Sequence, residues 1–153
     1  MTKKITSIVL AAGKGTRMNS SLPKPLHAVA GKPMLSHIIE NINAASINDI
    51  IVVINNDSDD LKNYLNKKHP DVRTSIQENQ NGTGDAVKSV FNNYDLSDSD
   101  GVVVVFGDTP LLRLETIQKL SESSLKSDLT IMVFESDNPK GYGRIILKDN
   151  KLH

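Results

Sequence analysis

The sequence predicts an α/β layered domain with a mostly parallel central sheet. Three observations carry this. Strand-like and helix-like segments alternate along nearly the whole chain. Residues 49–54 (DIIVVI) and 101–106 (GVVVVF) are Val/Ile-rich runs of the kind buried on both faces of a parallel sheet. The first apolar run also leads straight into a glycine-rich loop. Sheets of this class take ligands there, beyond the carboxyl ends of their strands.

The elements come in the following order. Residues 7–11 (SIVLA) read as a short apolar strand. Residues 33–45 place apolar side chains at 34, 35, 38, 39 and 42, which is helical spacing, with Pro33 suited to the first turn. After the strand 49–54, residues 57–68 read as a polar helix and 72–77 (VRTSIQ) alternate as a strand does. Residues 83–94 set Ala86, Val87, Val90 and Phe91 on one helical face. The strand 101–106 is the strongest in the chain, 114–125 is a helix, and 129–135 (LTIMVFE) and 144–148 are strands. The order is β-α-β-α-β-α-β-α-β-β, without internal repeat, linker or low-complexity tract.

Length and composition narrow the function. A chain of 153 residues suits one domain with a real core. Its 18 basic and 18 acidic residues balance, so no general nucleic-acid surface is expected and any anion affinity must be local. There is no cysteine, which excludes disulfides and thiolate metal sites. The start MTKKITSIVLAAGKG is basic and then apolar, but the apolar part is too short for a signal peptide. No run approaches the roughly 20 apolar residues of a membrane helix. The expectation is a cytoplasmic protein without membrane partners. The four histidines, at 27, 37, 69 and 153, lack metal-ligand spacing, and His37 reads as a packing or surface residue.

The loop after the first strand reads Ala12-Gly13-Lys14-Gly15-Thr16-Arg17. Small residues at 11 and 12 and glycines at 13 and 15 let backbone N–H groups approach an anion. Arg17 is able to fork onto phosphate oxygens, and Lys24, stiffened by Pro23 and Pro25, adds a point charge. A tight turn with solvated charges fits the same residues. The dinucleotide fingerprint fails, since position 18 is Met18 where it needs glycine, and the P-loop pattern is not matched.

Taken together, LAAGKGTRM, LPKPL and AGKPML resemble the signature of the sugar nucleotidyltransferases. The likeness is greatest to the uridylyltransferase part of the bifunctional N-acetylglucosamine-1-phosphate uridylyltransferases. It continues through Gln77, Gly82-Thr83-Gly84, FGDTPLL at 106–112 and GYGRI at 141–145, and it covers essentially the whole chain in the family's order. The resemblance implies a Rossmann-like layered fold of the nucleotide-diphospho-sugar transferase type. It also implies UTP and N-acetylglucosamine 1-phosphate as substrates, Mg²⁺ as cofactor, and a place in peptidoglycan and lipopolysaccharide precursor synthesis. The resemblance leaves a homo-oligomer open for the full-length family member.

By the same resemblance, Leu10, Ala11, Ala12 and Gly13 hold base and ribose through backbone. Gly15 and Arg17 lie along the triphosphate, and Lys24 contacts phosphate near the reacting phosphorus. Gln77 meets the pyrimidine edge, where its amide can donate and accept; a strand-end glutamine is otherwise a solvated residue. Gly82 and Thr83 offer free N–H groups at a helix start, with Thr83 also readable as its cap. Phe106, Gly107 and Asp108 follow the strongest strand, and Asp108 is the Mg²⁺ ligand that the resemblance implies. A turn aspartate before Thr109-Pro110 is the alternative reading. Gly143 approaches the sugar phosphate, or else turns a hairpin. Asp85 departs from the histidine common in relatives and receives no catalytic part.

Relatives continue beyond the point matching His153, with sugar and metal ligands there and an acetyltransferase β-helix after them. The expectation is therefore a partial nucleotidyltransferase domain over residues 1–153, with impaired turnover. Thymidylyl, cytidylyl or molybdopterin guanylyl transferases remain as alternatives. So does a non-catalytic nucleotide-binding module that needs a partner chain.

Overall fold

The run Ile5–Leu10 carries no charged side chain, so it can lie in the middle of a sheet with both faces covered. The computed structural model describes residues 3–13, 15, 18–148 and 151–152. Its strands are β1 (Ile5–Leu10), β2 (Ala28–Val29), β3 (Lys32–Pro33), β4 (Asp49–Asn55), β5 (Arg73–Gln77), β6 (Gly101–Phe106), β7 (Leu147–Lys148) and β8 (Lys151–Leu152). Its helices are α1 (Met34–Ala44), α2 (Asp59–Lys68), α3 (Thr83–Asn93) and α4 (Leu114–Ser124).

The main sheet has the order β5-β4-β1-β6 and every pairing in it is parallel. The chain steps outward from β1 to β4 and β5, then returns across the sheet through α3 to β6. Its direction of winding therefore reverses between β1 and β6, and a crevice opens outside the carboxyl ends of strands at such a point.

One face is covered by α1, α2 and α4. Leu35, Ile38, Ile39 and Ile42 of α1, Leu61 and Leu65 of α2, and Ile117 of α4 pack on Val9, Val52, Ile54, Val103 and Val105. Burying each such side chain contributes about 1.5–3 kcal/mol. The other face is covered by α3, whose Ala86 and Val90 meet Ile8, Ile51 and Val53. Phe91, expected on that apolar face, is instead exposed. The α2 helix has Asp59 and Asp60 in its first turn and Lys67 and Lys68 in its last, matching its dipole at both ends. Ser7, in the middle of β1, has a buried hydroxyl with no hydrogen-bond partner among the described residues.

The strand expected at 129–135 does not form, and that expected at 144–148 shrinks to β7, which pairs only with β8. The physical reason is missing cover. β6 is the sheet's edge, and an open groove of about 1020 Å³ separates it from residues 127–132. Leu129, Ile131, Met132, Val133 and Phe134 stay 45–68 % exposed, so no burial offsets the cost of ordering them into a ladder. Three boundaries also shift. β1 begins two residues earlier than expected, α2 begins at Asp59, and Pro33 ends β3 and caps α1 from just outside its first turn. Among the described residues no helix is long and apolar enough to cross a membrane.

Candidate functional site

The strand register brings the chemically distinctive residues to one edge. Leu10 lies opposite both Val53 and Phe106, and Asn55 lies opposite Gln77. The ladder runs one residue past the strands: the Ala11 N–H donates to Val53 O at 2.9 Å and the Gly107 N–H to Leu10 O at 2.9 Å. Side chains then hold the loop leaving β1, as Asn55 Nδ2 and Gln80 Nε2 donate to Ala12 O at 3.4 and 3.3 Å.

Gly107 is where β6 turns towards this edge. A Cβ there would stand 3.3 Å from both Ala11 Cβ and Leu10 O and 3.4 Å from Leu35 Cδ1. Glycine thus lets the two strand ends approach without crowding. Beyond it the turn is held by Thr109 Oγ1 donating to Phe106 O at 2.8 Å. Gly15 does the same for the opposite wall. Its φ is +59° and a Cβ would come within 3.0 Å of Lys24 Cβ, so only glycine lets the loop cross the lysine. Lys24 itself opens a short 3-10 turn, Lys24–Leu26, with Pro25 buried and the Leu26 N–H donating to Pro23 O at 2.9 Å.

These segments enclose a cleft of about 360 Å³, within the range of small-ligand sites. Leu10, Ala11, Ala12 and Gly13 form one wall, Gly15 and Lys24 a second, and Phe106 and Asp108 a third. Gln77, Gly82 and Thr83 close the far end. Eleven of the residues expected from the sequence thus line a single cavity. Gly107 is buried behind it as the strand-end spacer. Arg17 lies outside the described residues. Gly143 is not brought to the cleft: it sits on an exposed stretch, just past a turn in which the Tyr142 N–H donates to Pro139 O at 3.1 Å.

Sequence reasoning missed Met18, Pro25, Gln80 and Ala86 as lining residues. Ala86 was legible only as a core position of α3, and Met18 only as a failed glycine. Nothing in the sequence marked Gln80.

Across the cleft mouth, Lys24 Nζ donates to Asp108 Oδ2 at 2.6 Å, with the two side chains 38 % and 31 % exposed. At the far end, Gln77 is 4 % exposed, which removes the solvated-residue reading. Its Nε2 donates to Gly82 O at 3.1 Å and to Asp85 Oδ2 at 2.7 Å. The cap of α3 is Gly82 and no side chain bonds there; Thr83 is the first helical residue, which corrects the capping role considered for it. The first-turn N–H groups of α3 lack partners within the helix, and Thr83 of that turn lines the cleft.

No cluster of three or more His, Cys, Asp or Glu side chains exists among the described residues. Asp108 is a single carboxylate at the carboxyl edge of β6. That suits Mg²⁺, which takes one or two protein carboxylates and completes its shell with phosphate oxygens and water.

Comparison with known proteins agrees with this geometry. Residues 7–147 match the MobA-like NTP transferase domain family. The chain is 42 % identical over 147 residues to the bifunctional protein GlmU of Parvibaculum lavamentivorans, covering 95 % of this chain and 32 % of that protein. It is 40 % identical over 150 residues to GlmU of Buchnera aphidicola, covering 98 % of this chain and 32 % of that one. The chain thus spans about a third of the length of these relatives. Among solved structures, HddC from Yersinia pseudotuberculosis, complexed with GMP-PN, superposes with a TM-score of 0.71 at 26 % identity, over 97 % of this chain and 67 % of that one. A family match over nearly the whole chain, a parallel sheet of the right class and 40 % identity to the same relatives agree, and the chain belongs to the MobA-like NTP transferase family as a nucleotidyltransferase domain of the GlmU type.

Proposed function

We propose that this chain binds UTP with Mg²⁺ and serves a uridylyl transfer from UTP to N-acetylglucosamine 1-phosphate, giving UDP-N-acetylglucosamine and pyrophosphate. The observation that carries the proposal is the placement of Lys24 and Asp108 at one end of a cleft whose other end is the buried amide of Gln77. A charged end suits a triphosphate and an amide end suits a base. Similarity to the GlmU proteins supports the choice of nucleotide and sugar.

In the reaction, an oxygen of the sugar phosphate attacks the α-phosphorus in line. The new O–P bond forms as the bond to the bridging oxygen of pyrophosphate breaks. The nucleophile is already anionic near neutral pH, so no general base is needed, and catalysis rests on alignment and charge. The backbone of residues 10–13 positions the nucleoside against the sheet edge. Lys24 offsets charge that builds on the phosphoryl oxygens. Asp108 is the residue that would hold Mg²⁺, which when bound supplies further neutralisation of the phosphates. Arg17 is proposed to lie along the triphosphate.

Gly143 stands apart from the cleft, so the sugar side of the site is thinly represented in this chain. We therefore propose that the chain binds UTP–Mg²⁺ weakly and turns over slowly. The GMP-PN complex of HddC favours a second reading, a guanylyl transferase. Thermal shift with UTP, GTP, CTP, ATP and TTP, each with and without Mg²⁺, tests both, since stabilisation follows RT ln(1 + [L]/Kd). Greatest stabilisation by UTP with Mg²⁺ supports uridylyl transfer; greatest stabilisation by GTP supports the second reading. Equal response to all five overturns both.

A further inference from the structure

The Gln77 side chain poses a question that its position in the cleft does not answer: which end of the amide faces the ligand. A glutamine amide can present its oxygen or its nitrogen, and a base with a hydrogen-bond donor needs the oxygen. Two acceptors settle the matter. Gly82 O and Asp85 Oδ2 both take hydrogen bonds from Nε2, at 3.1 and 2.7 Å, and so use both of its protons. Reversing the amide would place Oε1 against a carbonyl oxygen and a carboxylate, losing two hydrogen bonds and adding two repulsions. Oε1 accepts no hydrogen bond among the described residues. It is not sealed either, since Ser7 Oγ alone among the described buried side-chain atoms is both sealed and unpaired. Gln77 is nearly fully buried and lines the cleft, so its unpartnered acceptor is the part of it a ligand can reach.

We propose that Asp85 is a positioning residue that locks the Gln77 amide with its oxygen towards the ligand, and so selects a base whose pairing edge carries an imino N–H, as uracil does. This rests on the nucleotide-binding reading above. Asp85 itself touches no substrate and acts through Gln77. Uracil places N3–H between two carbonyl oxygens. Oε1 accepts from N3–H, while N–H groups in the first turn of α3 are free to donate to a flanking oxygen. Cytosine in the same placement sets the lone pair of N3 against Oε1, a repulsion in place of a hydrogen bond. A free amide would rotate to suit either base. Gly82 O opposes that rotation weakly, and the charged, closer acceptor of Asp85 adds the larger share, turning a tolerant contact into a selective one.

The test is calorimetric titration of the full chain with UTP, CTP and inorganic tripolyphosphate, each with Mg²⁺. The wild type is expected to favour UTP over CTP by about tenfold, the scale of one hydrogen bond made against one lost. Asp85→Ala is expected to cut that ratio by about fivefold or more while tripolyphosphate affinity stays within about twofold. Asp85→Asn, whose carboxamide oxygen still accepts from Nε2, is expected to keep the wild-type ratio. An unchanged ratio in Asp85→Ala overturns the proposal, as does equal weakening of UTP, CTP and tripolyphosphate, which marks a merely structural role. Should Asp85→Ala fail to fold, nuclear magnetic resonance of the wild type decides. The Gln77 Nε2 protons are expected to keep their positions on adding UTP, and a large shift signalling donation to the base overturns the proposal. Absence of UTP binding by the wild type would instead refute the nucleotide reading itself.

Discussion

Lys24 Nζ and Asp108 Oδ2 stand 2.6 Å apart although 84 residues separate them in the chain. One lies on the loop between β1 and β2, the other just past β6, and the parallel pairing of β1 with β6 brings them together. Both side chains are about a third exposed, so their attraction is screened by water. A pair of that kind stabilises a fold by about 0–1 kcal/mol. The contact is thus free to exchange for a ligand: Lys24 towards phosphate and Asp108 towards a cation.

Lys24→Ala is expected to separate binding from stability. Urea denaturation should show a change below about 1 kcal/mol. Affinity for UTP with Mg²⁺ should fall about tenfold or more, the scale of a charged hydrogen bond. Equal loss of both quantities would assign Lys24 to the fold alone.

Asp108→Asn removes the carboxylate and keeps the shape. Wild-type affinity for UTP should rise when Mg²⁺ is added, and in the variant that gain should largely vanish. Titration with and without Mg²⁺ reads this directly. A variant with the full wild-type gain would place the cation elsewhere.

Gly107→Ala tests the spacing of the strand ends. The new methyl would press on Ala11, Leu10 and Leu35 at 3.3–3.4 Å, a backbone and core environment with little room to give. Overpacking of this kind costs about 1–3 kcal/mol. Thermal denaturation should show that loss, accompanied by weaker UTP binding because Ala11 lines the cleft.

Much of this was legible beforehand, for identifiable reasons. The run at 49–54 is buried on both faces, so local pattern and tertiary environment agree. The run at 101–106 forms its strand as expected, but as the sheet's edge it leaves Val104 and Phe106 exposed, where burial on both faces was expected. The cleft was legible because its residues form an unusual set for strand-end loops: two glycines, a lysine between prolines, an aspartate after glycine. The Gln77–Asp85 pair was not, because a hydrogen bond between a strand end and the next helix's first turn leaves no periodic trace. Residues 129–135 misled for the opposite reason. Their β-propensity is real, but propensity describes a half-buried surface, and here that surface is uncovered. The short pairing of β2 with β3 passed unseen because two-residue strands carry no alternation to read.

His69 supplies a pH-dependent term away from the cleft. Its ring is half-buried after α2, with Nε2 2.7 Å from Ser36 Oγ. Burial holds its pKa below the ordinary value of 6.5, with Glu40 opposing this and Lys68 adding to it. The unfolded chain therefore binds the proton first as pH falls. Stability should be level above about pH 6.5 and decline from there towards the lower folded value, with the full loss reached below it. Melting temperature tracked from about pH 8 to pH 5 should show a decline over that window which is reduced in His69→Gln.

The central claim is that turns at the carboxyl edge of one parallel sheet form a uridine triphosphate site. A crystal structure of the chain soaked with UTP and Mg²⁺ tests it most directly. The base should lie against Gln77 and Gly82 and the phosphates between Lys24 and Asp108. A nucleotide bound in the groove beside β6, with the cleft left empty, would contradict it.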